Sequence, residues 1–136
     1  MIEVMAIDHI VLRTDRMDEM IAFYRDVLGC PVERETAPET GLVQLRAGSA
    51  LIDLVEVQST LGKLGGGAPS KSENNVDHFC LQITPISEQA LIAHLEGLGV
   101  EKSDFANRYG AQGFGRSIYI KDPQGNTVEL KCVKEA

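Results

Sequence analysis

Apolar and polar residues along the first half of the chain predict a strand, a helix and three further strands. Residues 5–14 form an apolar run that is typical of a strand. Apolar residues at helical spacing predict a helix over 16–28, capped by Asp15 and ended by Gly29. The strands that follow are predicted over residues 31–36, 42–47 and 50–57.

The second half of the chain repeats this order. A strand over 76–84 precedes a helix over 87–98, which Gly99 ends as Gly29 ends the first helix. The stretch 104–115 is rich in glycine and polar residues and is predicted to be a loop. Further strands are predicted over residues 100–103, 115–121 and 126–133. The pattern therefore indicates a duplicated module of strand-helix-strand-strand-strand order.

A segment rich in glycine, serine and proline, residues 61–75, separates the first module (1–60) from the second (76–136). This composition predicts a flexible connection. It fits a linker between modules, and it also fits a mobile flap over a site. It is not a phosphate-binding loop, because the GKLGGG stretch lacks the Lys-Ser/Thr ending.

The two halves share an Asp-His pair at the head of an apolar strand, in DHIVLRT (8–14) and DHFCLQIT (77–84). The sequence has only three histidines, and His9 and His78 occupy the matched places. Because side chains alternate along a strand, each histidine should point away from the face that receives the helix. The preceding Asp8 and Asp77 are interpreted as capping or surface acids that face the other way.

The last strand of each half carries one acid between apolar neighbours, Asp53 in the first and Glu129 in the second. Alternation places both acids on the same face as the histidines. A carboxylate buried there needs a partner. Two imidazoles and two carboxylates in one cavity would suit a divalent metal, whereas His–carboxylate pairing without a metal is the alternative.

Length, charge and cysteine usage exclude several classes of protein. The 136 residues suit one compact domain or two modules that share a core. A net charge of −7 argues against nucleic acid as a partner, and no apolar run is long enough to span a membrane. An N-terminus without a basic region and an odd cysteine count predict a cytoplasmic protein with free thiols, and the cysteines are Cys30, Cys80 and Cys132.

Three stretches resemble the vicinal oxygen chelate superfamily, which includes glyoxalase I, methylmalonyl-CoA epimerase, fosfomycin-resistance proteins and extradiol dioxygenases. They are DHIVLRTDRMDEMIAFYRDVLG, DHFCLQI and GRSIYIKDPQGNTVEL. The resemblance implies an α+β fold in which two βαβββ modules form an open eight-stranded mixed β-barrel with the helices outside. A metal would lie inside that barrel.

By position, the resemblance implies that His9, Asp53, His78 and Glu129 are the metal ligands. Asp53 departs from the pattern, because related lyases and epimerases usually have Glu or Gln there, and Asp is one methylene shorter. Glu56 lies three residues further on and faces the opposite side of the strand, so Asp53 is preferred. The mixed nitrogen and oxygen donors suit Zn, Ni, Fe, Mn or Co.

The resemblance further implies a lyase or isomerase that acts on a small molecule with two adjacent oxygens. A carboxylate would act as the base, with Glu129 as the first choice and Asp53 as the second. Arg108, Arg116 and Tyr119 are the predicted substrate-binding residues. Alternatives are a fosfomycin-resistance-like or dioxygenase-like enzyme, and a non-catalytic drug-binding protein of the bleomycin-resistance type. A homodimer is expected, with the barrel formed either within one chain or across the dimer.

Overall fold

A computed structural model describes residues 1–134, which divide into two compact units. The first unit spans Met1–Asn75, and the second begins at Val76. Each unit contains one four-stranded sheet of its own. The α+β class and the two βαβββ modules predicted from the sequence are confirmed, although the strands form two separate sheets and not a closed barrel.

The elements of the first unit follow the predicted order. They are β1 (His9–Thr14), α1 (Met17–Ala22) with a π-helical turn (Phe23–Val27), β2 (Val32–Glu35), β3 (Leu42–Ala47), β4 (Ala50–Glu56) and a short α2 (Thr60–Lys63). The strand order is β1-β4-β3-β2. The strands β1 and β4 are parallel, and the other two pairings are antiparallel.

The second unit has the same topology. Its elements are β5 (Phe79–Ile83), α3 (Glu88–Gly97), β6 (Ala106–Gly110), β7 (Gly113–Lys121) and β8 (Thr127–Cys132). The strand order is β5-β8-β7-β6, again with a parallel pairing of the first and last strands. The internal repeat seen in the sequence is therefore a repeat of topology.

One face of each sheet supplies the apolar core. In the first unit, Leu12, Leu45 and Leu54 are fully buried together with Met20 and Tyr24 of the helical segment. The second unit buries an equivalent set, namely Leu91, Leu95, Ile118, Ile120, Val128 and Leu130. Alternation then leaves the opposite face of each sheet to the polar residues of the strands.

Glycine ends both long helical segments, as predicted. Gly29 and Gly99 have φ angles of 72° and 68°, a left-handed conformation that other residues rarely adopt. The Cys30 N–H donates to the Tyr24 carbonyl at 2.8 Å across this turn. The first helix begins at Met17, one residue after the predicted start, and its N-cap residue is Arg16 and not the predicted Asp15.

The first strand is shorter than the apolar pattern predicts. It begins at His9, not at residue 5, and residues 1–8 contain no strand. The reason is the length of its partner: His9 lies opposite Leu51, and β4 begins only one residue earlier, at Ala50. A strand needs a hydrogen-bonding partner, and among residues 1–134 the apolar residues that precede His9 pair with no other strand.

The region between α3 and β7 also differs from the prediction. Residues 100–103 form no strand, apart from an isolated bridge between Lys102 and Ile120. The strand β6 lies instead inside the predicted loop 104–115, and Tyr109 is paired with Phe114 across the hairpin. Glycine and polar residues have low strand propensity, so the pairing with β7 decides the structure of this segment.

Residues 60–75 follow β4 and contact the first strand of the same unit through Arg13. Its Nη2 donates to the Gly62 and Gly66 carbonyls at 2.8 and 2.6 Å, and its Nη1 donates to Gly67 at 2.7 Å. The Asn75 side chain bonds both the N–H and the carbonyl of Arg13. Specific hydrogen bonds thus hold the glycine-rich segment along the edge strand β1.

In residues 1–134 there is no helix with the length and hydropathy that a membrane crossing requires.

Replacing Leu54 by Ala should lower the free energy of unfolding by about 2–5 kcal/mol, because the side chain is fully buried. The matched control is Leu64→Ala, since Leu64 is 84% exposed, and its effect should stay below about 0.5 kcal/mol. Urea denaturation followed by circular dichroism measures both. Equal losses for the two variants would contradict the position of the core.

Candidate functional site

In the second unit, a histidine and an acid lie together on the face away from the apolar core. Strands β5 and β8 are parallel and place Cys80 directly opposite Glu129. His78 immediately precedes β5, and its Nε2 lies 3.5 Å from Oε1 of Glu129. The Glu129 residue is only 6% exposed. A buried carboxylate is therefore in direct reach of an imidazole nitrogen.

Each histidine is oriented by the aspartate that precedes it. The Nδ1 of His78 lies 2.5 Å from an oxygen of Asp77, and the Nδ1 of His9 lies 2.6 Å from one of Asp8. A carboxylate at Nδ1 favours the tautomer in which Nε2 carries the free lone pair. Both acids lie at the surface, as predicted, with side chains 90% and 94% exposed. They nevertheless turn toward the histidines that follow them, because a residue outside the strand is free of strict alternation.

In the first unit, the matching pair is arranged differently. Asp53 lies opposite Val11 on the neighbouring strand and is 4% exposed. Within residues 1–134, no hydrogen bond or ion pair joins it to His9. The pKa of His9 is raised, first by the hydrogen bond to Asp8 and then by the charge of Asp53. The acid is thus near enough to affect the imidazole without contacting it.

The direct partner of Asp53 is Gln44 of β3. Its Nε2 donates to both carboxylate oxygens, at 3.2 and 3.1 Å, and its Oε1 accepts from Nη1 of Arg34 at 3.0 Å. Sequence analysis did not identify Gln44 or Arg34. The available signal was a polar residue in β3 between two buried ones, Val43 and Leu45, which indicates a polar contact on the opposite face.

The arrangement in the second unit fits two ligands of one divalent cation. Metal–ligand distances of about 2.1 Å at a tetrahedral centre place two donor atoms roughly 3.4 Å apart. The observed separation of 3.5 Å between the His78 and Glu129 donor atoms agrees with this value. Among the residues that the structure describes, neither unit by itself gathers three or more acidic, histidine or cysteine side chains into a metal-binding group.

Tyr119 and Arg108 surround this pair. Tyr119 lies opposite Glu129 on β7, and its ring centroid is 5.4 Å from that of His78. Cζ of Arg108 lies 4.0 Å from the Tyr119 ring centroid. Two of the predicted substrate-binding residues therefore share a face with Glu129.

Cys80 lies opposite Glu129. Desolvation of the thiol, followed by the charge of Glu129, raises the pKa of Cys80 to about 11, so this cysteine is a protonated thiol at neutral pH.

Arg116, the third predicted substrate-binding residue, lies elsewhere. It is separated by an odd number of positions from Tyr119, so it projects from the other face of β7. There it forms a bidentate pair with Glu88 of α3, at 2.9 and 3.1 Å. The structure does not bring Arg116 to His78 and Glu129.

Comparison with known proteins identifies the family. The sequence profile of the Glyoxalase/Bleomycin resistance protein/Dioxygenase superfamily matches residues 6–130. The chain belongs to this superfamily. The match covers both Asp-His pairs and both acids, and it confirms the resemblance found in the sequence.

Several relatives support this membership. The chain is similar to virulence protein STM3117 of Salmonella typhimurium, with 27% identity over 124 residues, covering 91% of this chain and 81% of the relative. An integron cassette protein from the V. cholerae mobile metagenome has a TM-score of 0.78 and 25% identity, over 98% and 99% of the two chains. Lactoylglutathione lyase from Agrobacterium tumefaciens has a TM-score of 0.67 and 26% identity, over 93% and 92%.

Replacing Gln44 by Ala should lower the free energy of unfolding by about 1–3 kcal/mol, because the buried Asp53 loses its hydrogen-bond donor. The matched control is Gln58→Ala, at an exposed position of the same unit. A double-mutant cycle with Asp53→Ala should give a coupling energy of about 0.5–3 kcal/mol. If the losses of unfolding free energy of the two single variants simply add in the double variant, the Gln44–Asp53 contact does not stabilise the fold.

Proposed function

We propose that this chain is a divalent-metal-dependent enzyme of the glyoxalase type, which acts on a small substrate with two adjacent oxygen atoms. The observation that carries the proposal is the placement of His78 Nε2 3.5 Å from the buried Glu129 carboxylate, with Asp77 at the other ring nitrogen. Membership of the glyoxalase superfamily and similarity to a lactoylglutathione lyase support it.

His78 and Glu129 would hold the metal in the second unit, and the resemblance assigns the same role to His9 and Asp53 in the first. When bound, a divalent cation polarises the oxygens of the substrate and stabilises negative charge that develops on them. The protein's own part is to present one imidazole lone pair and one carboxylate from a rigid sheet. The hydrogen bond that Nδ1–H of His78 donates to the Asp77 carboxylate fixes the direction of that lone pair.

Glu129 is the residue proposed to move a proton in this lyase or isomerase reaction. It would accept a proton from the carbon next to the substrate carbonyl and return it at the neighbouring atom. Asp53 is less suited to this role, because both of its oxygens already accept from Gln44. A carboxylate that is 6% exposed is also shielded from bulk water, which limits loss of the proton to solvent.

His78→Ala should abolish stoichiometric metal binding and turnover, because it removes a nitrogen donor. Glu129→Gln retains the shape of the side chain but removes the base, so turnover should fall by about 10²–10⁴-fold. The control is His94→Ala, at an exposed position of α3. Elemental analysis measures the metal, and assays on hemithioacetals, acyl-CoAs and fosfomycin measure turnover. Full activity in a metal-free His78 variant would end the proposal.

Asp77→Ala tests the orientation of the imidazole separately from its presence. The metal affinity should fall by about 10–100-fold, because His78 loses the carboxylate that sets its tautomer. Asp104→Ala, at another exposed aspartate of the second unit, should bind metal like the wild type. Calorimetric titration with zinc compares the two variants, and identical affinities would show that Asp77 does not position the ligand.

A further inference from the structure

One arginine on the face that carries Glu129 is held in place and yet lacks an acidic partner. Arg108 lies on the edge strand β6, opposite Gly115 of β7. Its Nη1 donates to the Ser117 carbonyl at 2.7 Å and to the Ser117 hydroxyl at 3.0 Å. Ser117 is fully buried, so this anchor is rigid. The guanidinium also stacks against the Tyr119 ring, with Cζ 4.0 Å from its centroid.

These contacts use only one side of the guanidinium. Within residues 1–134, neither Nε nor Nη2 of Arg108 donates a hydrogen bond. Neither atom is buried, because neither belongs to the buried polar atoms that lack a partner. This edge presents two parallel N–H groups, the geometry that binds a carboxylate or a phosphoryl group bidentately. Arg108 therefore presents an open, pre-oriented pair of donors.

Arg108 has no carboxylate partner within residues 1–134, although the chain is acidic. The chain contains 20 acidic residues against 13 basic ones, and among residues 1–134 four of the seven arginines pair with a carboxylate, namely Arg16, Arg25, Arg46 and Arg116. Arg108 forms no ion pair with any residue of the described part of the chain. A half-buried cation without a counter-charge attracts anions more strongly than a paired one does.

A second cation strengthens the positive charge at this place. Lys131 is 7% exposed and lies on the same face of β8 as Glu129. Its Nζ donates to the carbonyls of Arg108 and Gly113, each at 2.8 Å. A Cβ at Gly110 would come within 2.9 Å of this Nζ, so glycine there leaves the room that Lys131 occupies. The lysine thereby fixes the backbone that carries Arg108.

We propose that the Nε–Nη2 edge of Arg108 is an oxyanion-binding subsite, so that the substrate carries a carboxylate, phosphate or phosphonate group. This inference rests on the proposed function for its connection to catalysis. The Tyr119 ring contacts Arg108 at 4.0 Å and His78 at 5.4 Å. One aromatic ring thus links the subsite to the His78–Glu129 pair. A small substrate would place its anionic group at Arg108 and its adjacent oxygens toward that pair.

The test is titration of the full-length protein with inorganic phosphate, followed by calorimetry and by the NMR signal of the Arg108 Nε–H. Arg108→Ala should weaken phosphate binding at least about tenfold. Arg108→Lys should retain part of the affinity, because lysine supplies the charge without the fork. Arg116→Ala is the matched control, since Arg116 lies on the other face and pairs with Glu88, and it should bind phosphate like the wild type.

Arg108→Gln distinguishes loss of the fold from loss of binding, because it keeps a polar amide at this position and removes the charge. It should fold with an unchanged urea midpoint and bind phosphate as weakly as Arg108→Ala. Wild-type protein that binds no phosphate, or Arg108 variants that bind it as well as the wild type, would overturn the inference. Metal content measured in the same samples separates the two proposals. If the subsite is lost only in Arg108 variants while His78→Ala remains active, the metal proposal fails and the subsite stands.

Discussion

The parallel pairing of the first and last strands in each module is the constraint on which the candidate site depends. It brings the histidine at the start of the first strand near an acid that lies 44 positions later in the first module (His9 and Asp53) and 51 positions later in the second (His78 and Glu129). Because facing residues in a ladder project from the same side of the sheet, the pairing also fixes which face both groups share. The helix covers the other face, so packing of the core and placement of the polar groups are set together.

The two modules use this shared topology differently. In the second, the longer side chain of Glu129 reaches His78, and Tyr119 occupies the opposite position on the neighbouring strand. In the first, Gln44 occupies that position and takes up the shorter Asp53 carboxylate. The two modules therefore differ in the length of the acid side chain and in its cross-strand neighbour. Glu129 lies within reach of His78, whereas the carboxylate of Asp53 is held by the amide of Gln44. This difference favours the second module for the proposed proton transfer.

Two basic side chains in this acidic chain are held by hydrogen bonds to backbone carbonyl oxygens. Arg13 bonds three glycine carbonyls beside β1, and Lys131 bonds two carbonyls of the β6–β7 hairpin. In both places glycine leaves space for the basic side chain, since a Cβ at Gly65 or Gly110 would lie less than 3.0 Å from its nitrogen atoms and the side chain would have to shift. In the sequence these glycines indicate flexibility. In the structure they leave space for a long basic side chain, which fixes the neighbouring backbone through its hydrogen bonds.

The sequence by itself determined the repeat, the order of elements, the helix ends at Gly29 and Gly99, and the family, because these follow from local periodicity and motifs. The strand ends near His9 and the strand β6 were decided by the tertiary structure, since a strand exists only where a partner is available. The same holds for the site. Alternation predicted a common face for each histidine and its acid, but the bond of Gln44 to Asp53 and the open edge of Arg108 arise from cross-strand neighbours that no local pattern encodes.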